Sequence, residues 1–354
     1  MVMGIDWSPF MDLRGCLASL ALSTAVVVPA LAADEADYWS IRTIPEPEGV
    51  VLEVGGLLPL GDGEVMACTR RGEVWVIENA FDPEATVAVL AGSTADAESA
   101  SDPHRVRYTL FADGLQEPLG LAVEPGSDAE RRRAIAEGRR WNGPIHVAQR
   151  GEISIMEDED GDRRMDRIRT VCDDWAISGN YHEYTFGPVF QADGSLWFTL
   201  NRPFGAEPFG KKDWRGWAMR IDEDGTMQPD AAGLRSPCGV AIGPDDRVYY
   251  TDNQGEWCGA SKMSIIEKGD FHGHPWGIAS TKRPESNVPF PGEIPDGIPM
   301  PEAAKVVPGF KMPVVWFPYD KCGKSPGEVV WDVDGVLGPF FKGQAYMEIG
   351  RAHV

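Results

Sequence analysis

Short runs of alternating apolar and polar residues, separated by turns rich in Gly, Asp and Pro, dominate the chain and predict strands in place of long helices. The clearest pair lies in residues 234–256. Val240-Ala241-Ile242 leads into a Pro244-Asp245-Asp246 turn, and Val248-Tyr249-Tyr250-Thr251 returns as the second strand of a hairpin. That strand delivers Asp252, Asn253 and Gln254 to Gly255, where a loop opens. Polar groups at such a strand end face a ligand more often than a core.

The unit recurs. Residues 58–77 carry one copy. A second starts at 118–123 and resumes at 145–156 after an Ala/Glu/Arg-rich patch, 127–140, which reads as a helical surface insertion. A third covers 187–199 and leads to 217–225, the fourth is the hairpin above, and a fifth runs from 327–335 to 343–347. Each has an apolar strand, a turn usually carrying Asp, and a strand with a polar end. Such repetition predicts an all-β chain folded as a six-bladed β-propeller, incomplete at its C-terminus. A two-layer sandwich accounts for the strands but not for the repeated order. Propeller blades bring loops from distant positions to one mouth. The Pro-rich stretch 283–318 reads as a long loop between the fourth and fifth copies.

The ends read differently. Arg14, the apolar run 16–28 and Pro29-Ala30-Leu31-Ala32 have the parts of a secretory signal cleaved after Ala32, with Met11 as an alternative start. Residues 1–32 are therefore expected to be a signal peptide and 33–348 the propeller. The chain is expected to be periplasmic or secreted, with no membrane span after cleavage. Residues 349–354 match the translation of a common sequencing adapter and are expected not to be native.

Net charge is −22. Such an acidic surface argues against nucleic acid and anionic lipid as partners. None of the cysteines outside the signal forms a Cys-x-x-Cys pair, so zinc and covalent haem lack their usual spacing. Cys238 and Cys258, on successive parts of one repeat, are the expected disulfide. Asp158, Asp160, Asp162 and Asp166 occupy positions 1, 3, 5 and 9 of an EF-type calcium loop, but Arg163 and Arg169 stand where Gly and Glu are needed.

Three motifs occur in order: Arg235-Ser236-Pro237-Cys238-Gly239, Thr251-Asp252-Asn253-Gln254-Gly255, and Lys268-Gly269-Asp270-Phe271-His272-Gly273-His274-Pro275. Together they resemble the soluble quinoprotein sugar dehydrogenases, the glucose/sorbosone dehydrogenase-like propellers. Residues 38–50 and 179–188 are similar to an uncharacterised environmental-bacterial branch, often fused to cytochrome c-type domains. The resemblance implies oxidation of a sugar or polyol hydroxyl, pyrroloquinoline quinone (PQQ) as hydride acceptor, calcium as Lewis acid and a cytochrome c-type electron acceptor.

Residue by residue, the resemblance makes His182 the general base and places Arg235 at the quinone's reactive carbonyl, with Ser236 in the place of a cofactor-binding Asn. Imidazole suits the base role because its pKa lies near neutral. Asn253 and Gln254 fall at the cofactor, and Trp257 can stack on a planar ligand. Gly255 and Glu256 occupy the calcium-loop position. There are departures. Tyr181 stands where the family has an Asp before its His, so the imidazole is expected to lack a carboxylate that fixes its tautomer. Cys238 replaces Gln, and Glu256 replaces Pro. Glu183 is expected to point away from His182. His272 and His274 read as packing residues of a blade-closing segment. Two other readings stand beside this one. The first is a calcium-dependent lactonase-like hydrolase using Asn180, Asn201, Asn253 and Glu183. The second is a non-catalytic propeller that binds glycan or protein.

Overall fold

The computed structural model describes residues 42–204, 213–318 and 321–350. The expected signal segment and the last four residues of the adapter-like tail lie outside these. The described chain is built almost wholly of antiparallel sheet. The first sheet contains β1 (Val54–Gly61), β2 (Glu64–Thr69), β3 (Val74–Glu78), β4 (Val87–Leu90) and β5 (Arg105–Ala112), in the order β1-β2-β3-β5-β4. The second contains β6 (Leu121–Ala122), β7 (Ile145–Ala148), β8 (Ile153–Glu157) and β9 (Arg167–Cys172). The third contains β10 (Thr185–Phe190), β11 (Leu196–Leu200), β12 (Trp217–Ile221) and β13 (Met227–Ala232). The fourth opens with β14 (Pro237–Ile242), β15 (Val248–Asp252) and β16 (Ser261–Ile266). Here Ile242 pairs with Val248 across the predicted hairpin turn.

The chain then leaves the fourth sheet. β17 (Asp270–Phe271) pairs in parallel with β13 of the third sheet, and β18 (Val315–Phe317) returns to pair with β16. The Pro-rich stretch is therefore an excursion within the fourth unit and its end is a strand. This corrects the expected inter-blade loop. β19 (Pro326–Trp331) and β20 (Ala345–Ile349) form a two-stranded fifth sheet. The helical insertion, Pro125–Ala136, lies between β6 and β7 and buries only Ala134.

The first strands of successive sheets pack on one another around an axis: β1 on β6, β6 on β10, β10 on β14, and β14 on β19. Radial sheets with their opening strands inward are a propeller arrangement, not a sandwich. Four sheets of four or five strands and one two-stranded sheet occur among the described residues, where six blades were expected. Glycines permit the close approach at the axis. A Cβ on Gly120 would lie 1.8 Å from the Gly187 carbonyl oxygen, and one on Gly239 would lie 2.0 Å from that of Gly327. Between sheets three and four, Trp197, Leu234, Val240 and Tyr250 form one core cluster, the apolar burial that holds adjacent sheets together. No helix among the described residues is long and apolar enough to cross a membrane.

Candidate active site

Antiparallel order fixes which loops share an end. In each of the second to fourth sheets, the segment before the first strand and the loop between the second and third strands open on the same side. That side receives His182 before β10, Arg202 and Phe204 after β11, Arg235 and Ser236 before β14, and the 253–260 loop after β15.

These residues meet. The His182 ring lies 4.7 Å from that of Phe204, centroid to centroid. The Arg235 and Arg202 guanidiniums lie 4.7 and 5.0 Å from the same Phe204 centroid, a cation–π arrangement. Arg202 also lies 5.5 Å from the Trp276 ring centroid. Both arginines converge on Glu256: Arg202 Nη2 pairs with Oε1, and Arg235 Nε lies 3.3 Å from Oε2. His274 Nε2 lies 3.5 Å from Oε2. Gly255 leaves room for Arg235 here: a Cβ on it would fall 2.1 Å from Arg235 Cδ and Nε and would push that side chain aside.

The backbone holds the imidazole in one tautomer. His182 Nδ1 lies 3.2 Å from the Arg202 carbonyl oxygen. A carbonyl only accepts, so Nδ1 carries the proton and Nε2 keeps its lone pair. The carboxylate missing from the sequence is thus replaced by a main-chain oxygen. Asn180 anchors the pair: its Oδ1 accepts the backbone N–H groups of His182 and Phe204, each at 3.0 Å. Glu183 points away as expected. It is fully buried and accepts both the N–H and Oγ–H of Ser178.

Burial dominates the electrostatics. It lowers the His182 pKa, and the Arg235 and Arg202 charges push the same way against the Arg202 carbonyl. His274 falls to about 3 through burial and the Arg202 charge. Burial raises Glu256, but its own backbone N–H and the two guanidiniums outweigh it and hold the carboxyl at about 2. Asp252, fully buried, is raised by burial against Lys262 at 3.8 Å, and accepts the backbone N–H groups of Arg235 and Ser236.

Other expected site residues divide. Ser236 joins the cluster, its Oγ accepting from Arg235 Nη1 at 3.1 Å. Gln254 is tied through its backbone N–H to Ser261 Oγ at 3.2 Å. Asn253 Oδ1 accepts from Ser261 Oγ and from the Ser325 N–H, both at 3.3 Å. The expected stacking surface of Trp257 is committed elsewhere. Its ring packs on Phe310 and beside Gly273, and its indole N–H donates to the Pro295 carbonyl at 2.9 Å. Cys238 and Cys258 are free thiols, which corrects the expected disulfide. Cys238 Sγ turns to the Pro326 carbonyl and Cys258 Sγ to the Ala260 carbonyl.

The 158–166 loop joins β8 to β9 at the other end of the sheet. Asp158, Asp160 and Asp166 place ligand atoms within 4.8 Å of one another, while Asp162 is not in that group. Their oxygens accept the loop's own N–H groups, from Gly161 and Arg163 to Asp158 and from Glu159 to Asp166.

Arg202, Phe204 and His274 were not among the residues expected to carry chemistry. Arg202 follows a strand end, Thr199-Leu200-Asn201, equivalent to the one that pointed to Asp252. The strand end marks the position, and the residue that follows it is a base where Asp252 is an acid. An axial channel of about 990 Å³ runs beside the inner strands, bordered by Gly120, Phe186, Cys238, Val240 and Gly327. It reaches Cys238, two residues from Ser236, but none of His182, Arg202, Arg235 or Glu256 lines it.

No protein-family profile matches the chain. A curated gluconolactonase from Zymomonas mobilis subsp. mobilis is 28% identical over 197 residues, covering 52% of this chain and 48% of that protein. The chain thus spans about half the length of this curated relative. Among solved structures, the PQQ-bound aldose sugar dehydrogenase from Streptomyces coelicolor superposes with a TM-score of 0.52 at 15% identity, over 82% of this chain and 74% of that one. The soluble aldose sugar dehydrogenase from Escherichia coli, in its apo form, gives 0.53 at 16% identity, over 84% and 80%. A Trichoderma reesei carbohydrate-active enzyme of family AA12 gives 0.51 at 14% identity, over 84% and 74%. What the chain shares with these structures is the β-propeller fold.

Proposed function

We propose that the protein is an exported six-bladed quinoprotein-type dehydrogenase that oxidises a sugar or polyol hydroxyl, with His182 as the base. The observation that carries this reading is the His182–Arg202 carbonyl contact. It leaves Nε2 as a proton acceptor at the mouth of a propeller, beside two cations and an aromatic ring. A lowered pKa keeps that acceptor unprotonated at neutral pH.

The donor set suits the two implied cofactors unequally. PQQ is planar and anionic; two guanidiniums over Phe204, with Arg202 Nε buried and without a hydrogen-bond partner, suit such a group. When bound, PQQ would supply the hydride acceptor. Arg235 and Arg202 would hold its negative charge, Ser236 would brace Arg235, and His182 would take the hydroxyl proton. At Gly255–Glu256 the Glu256 carboxylate is already shared by two guanidiniums, so calcium there would rest on backbone oxygens of the loop. The 158–166 loop remains a calcium candidate, as a stabilising site at the opposite end. A sugar or polyol would be the substrate, in the periplasm or outside the cell, with a cytochrome c-type protein as electron acceptor.

The gluconolactonase match favours a lactonase-like hydrolase as a second reading. Its proposed ligands are largely engaged: Asn180 holds the His182 loop, Glu183 holds Ser178, and Asn253 holds Ser261. Of these four, the buried Asn201 Oδ1 lacks a hydrogen-bond partner among the described residues. The test is calorimetric titration with PQQ, followed by dye reduction over a sugar and polyol panel. Binding and turnover lost together in His182→Ala and Arg235→Gln support the dehydrogenase. Lactone cleavage without quinone refutes it.

A further inference from the structure

Glu256 and its partners differ sharply in exposure. Arg202 and Arg235 are 6% and 7% exposed, whereas the Glu256 side chain is 54% exposed. Surface ion pairs are worth little in themselves, but buried guanidiniums require an anion. The demand for a carboxylate therefore belongs to the two arginines, and Glu256 is one exposed way of meeting it.

A third donor points at the same spot. His274 Nδ1 accepts the Trp276 N–H at 3.2 Å, so its proton sits on Nε2. That Nε2 is 3.5 Å from Glu256 Oε2, buried, and has no hydrogen-bond partner among the described residues, nor has the buried Arg202 Nε. Two guanidiniums and an imidazole N–H thus surround one carboxylate that leaves part of their capacity unused. Among the described residues, the other nearby charges are engaged elsewhere. Asp252 is taken up by Lys262 and by backbone N–H groups, and His182 faces Arg202 with its Nδ1 proton.

We propose that Arg202, Arg235 and His274 form a carboxylate-binding fork that Glu256 fills from within, and that a sugar acid displaces Glu256 when it binds. The sugar portion of this inference rests on the function proposed above; the fork does not. Matched ligands test it: D-galacturonate against D-galactose, and D-glucuronate against D-glucose, titrated calorimetrically into the quinone-free chain and its variants. Glu256→Gln keeps the shape but removes the internal competitor. If Glu256 fills the fork about nine-tenths of the time, the uronates should bind about tenfold more tightly to this variant. The neutral sugars should be unaffected. Adding Arg202→Gln to Glu256→Gln should abolish the gain, and Glu256→Asp, which shortens the reach, should give part of it. Circular dichroism and melting check that each variant folds.

Unchanged or weaker uronate binding in folded Glu256→Gln overturns the proposal. So does tightening for PQQ without tightening for the uronates in a parallel titration, since the fork would then serve only the quinone that Arg202 and Arg235 are proposed to hold. Uronate tightening without dye reduction leaves this inference standing while removing the dehydrogenase reading.

Discussion

Two loops at opposite ends of the sheets, 253–260 and 158–166, each place acidic side chains where a cation can be imagined. Their carboxylates are engaged in unlike ways. Glu256 meets side-chain cations from outside its loop, Arg202 after a strand of the third sheet and Arg235 before the strand that opens its own. Asp158 and Asp166 accept N–H groups of their own loop. The first loop is charged by its surroundings, the second is folded by itself. A carboxylate's partners, more than its spacing in sequence, decide whether it marks a metal, an anion site or a turn.

Breaking the first region should have the largest effect. His182→Ala removes the acceptor, and kcat/KM for the oxidised sugar should fall by about 10²–10⁴, read by dye reduction. In the wild type, kcat/KM should rise as His182 loses its proton, with a midpoint below the usual imidazole value of 6.5. A pH profile with a midpoint above that value would remove His182 as the base. Glu183→Gln strips the negative charge that supports fully buried Arg215, whose pKa burial lowers to about 10 against the pull of Glu183. Urea unfolding should show a loss of about 3 kcal/mol. Gly255→Ala drives a methyl into Arg235 and should cost about 1–3 kcal/mol, again by urea unfolding, while weakening uronate and quinone binding together.

The second region should respond less. Asp158→Asn weakens the acceptor that holds Gly161 and Arg163 and should cost about 1 kcal/mol. If calcium raises the melting temperature, this substitution should abolish the rise and Glu256→Gln should leave it intact. The opposite pattern would exchange the roles given to the two loops. Buried histidines set the acid response of the whole chain. Burial lowers His146 to about 4 and His274 to about 3, and holds His272 well below the usual imidazole value. The unfolded chain therefore binds protons first, and this contribution to stability should be full above pH 6.5 and decline as pH falls below it. Urea midpoints measured from pH 7.5 to 4.5 would show it.

Much of this was legible in the strand ends. The hairpin at 237–252 and the polar residues after it marked a loop end, and the resemblance to the quinoprotein sugar dehydrogenases implied that Arg235, Ser236 and residues 253–256 would lie with His182. The partners were harder to read. Arg202 and Glu256 are 54 positions apart and meet only because sheets three and four are neighbours. Glu256 therefore looked like a metal ligand when its contacts were unknown. The backbone oxygen that orients His182 could not be seen at all, since every residue has one. The cysteine expectation failed for a related reason. Proximity in the repeat does not say which way a thiol turns, and both turn to carbonyls.

The glycine contacts at the axis have one more consequence. At Gly120 and Gly187, and again at Gly239 and Gly327, adjoining sheets meet main chain to main chain, so at these points no side chain stands between them. The loops that begin beside these points inherit a frame whose spacing does not depend on what they carry. Substitutions at Ser236 or Glu256 can then alter what the mouth accepts without shifting where its walls stand.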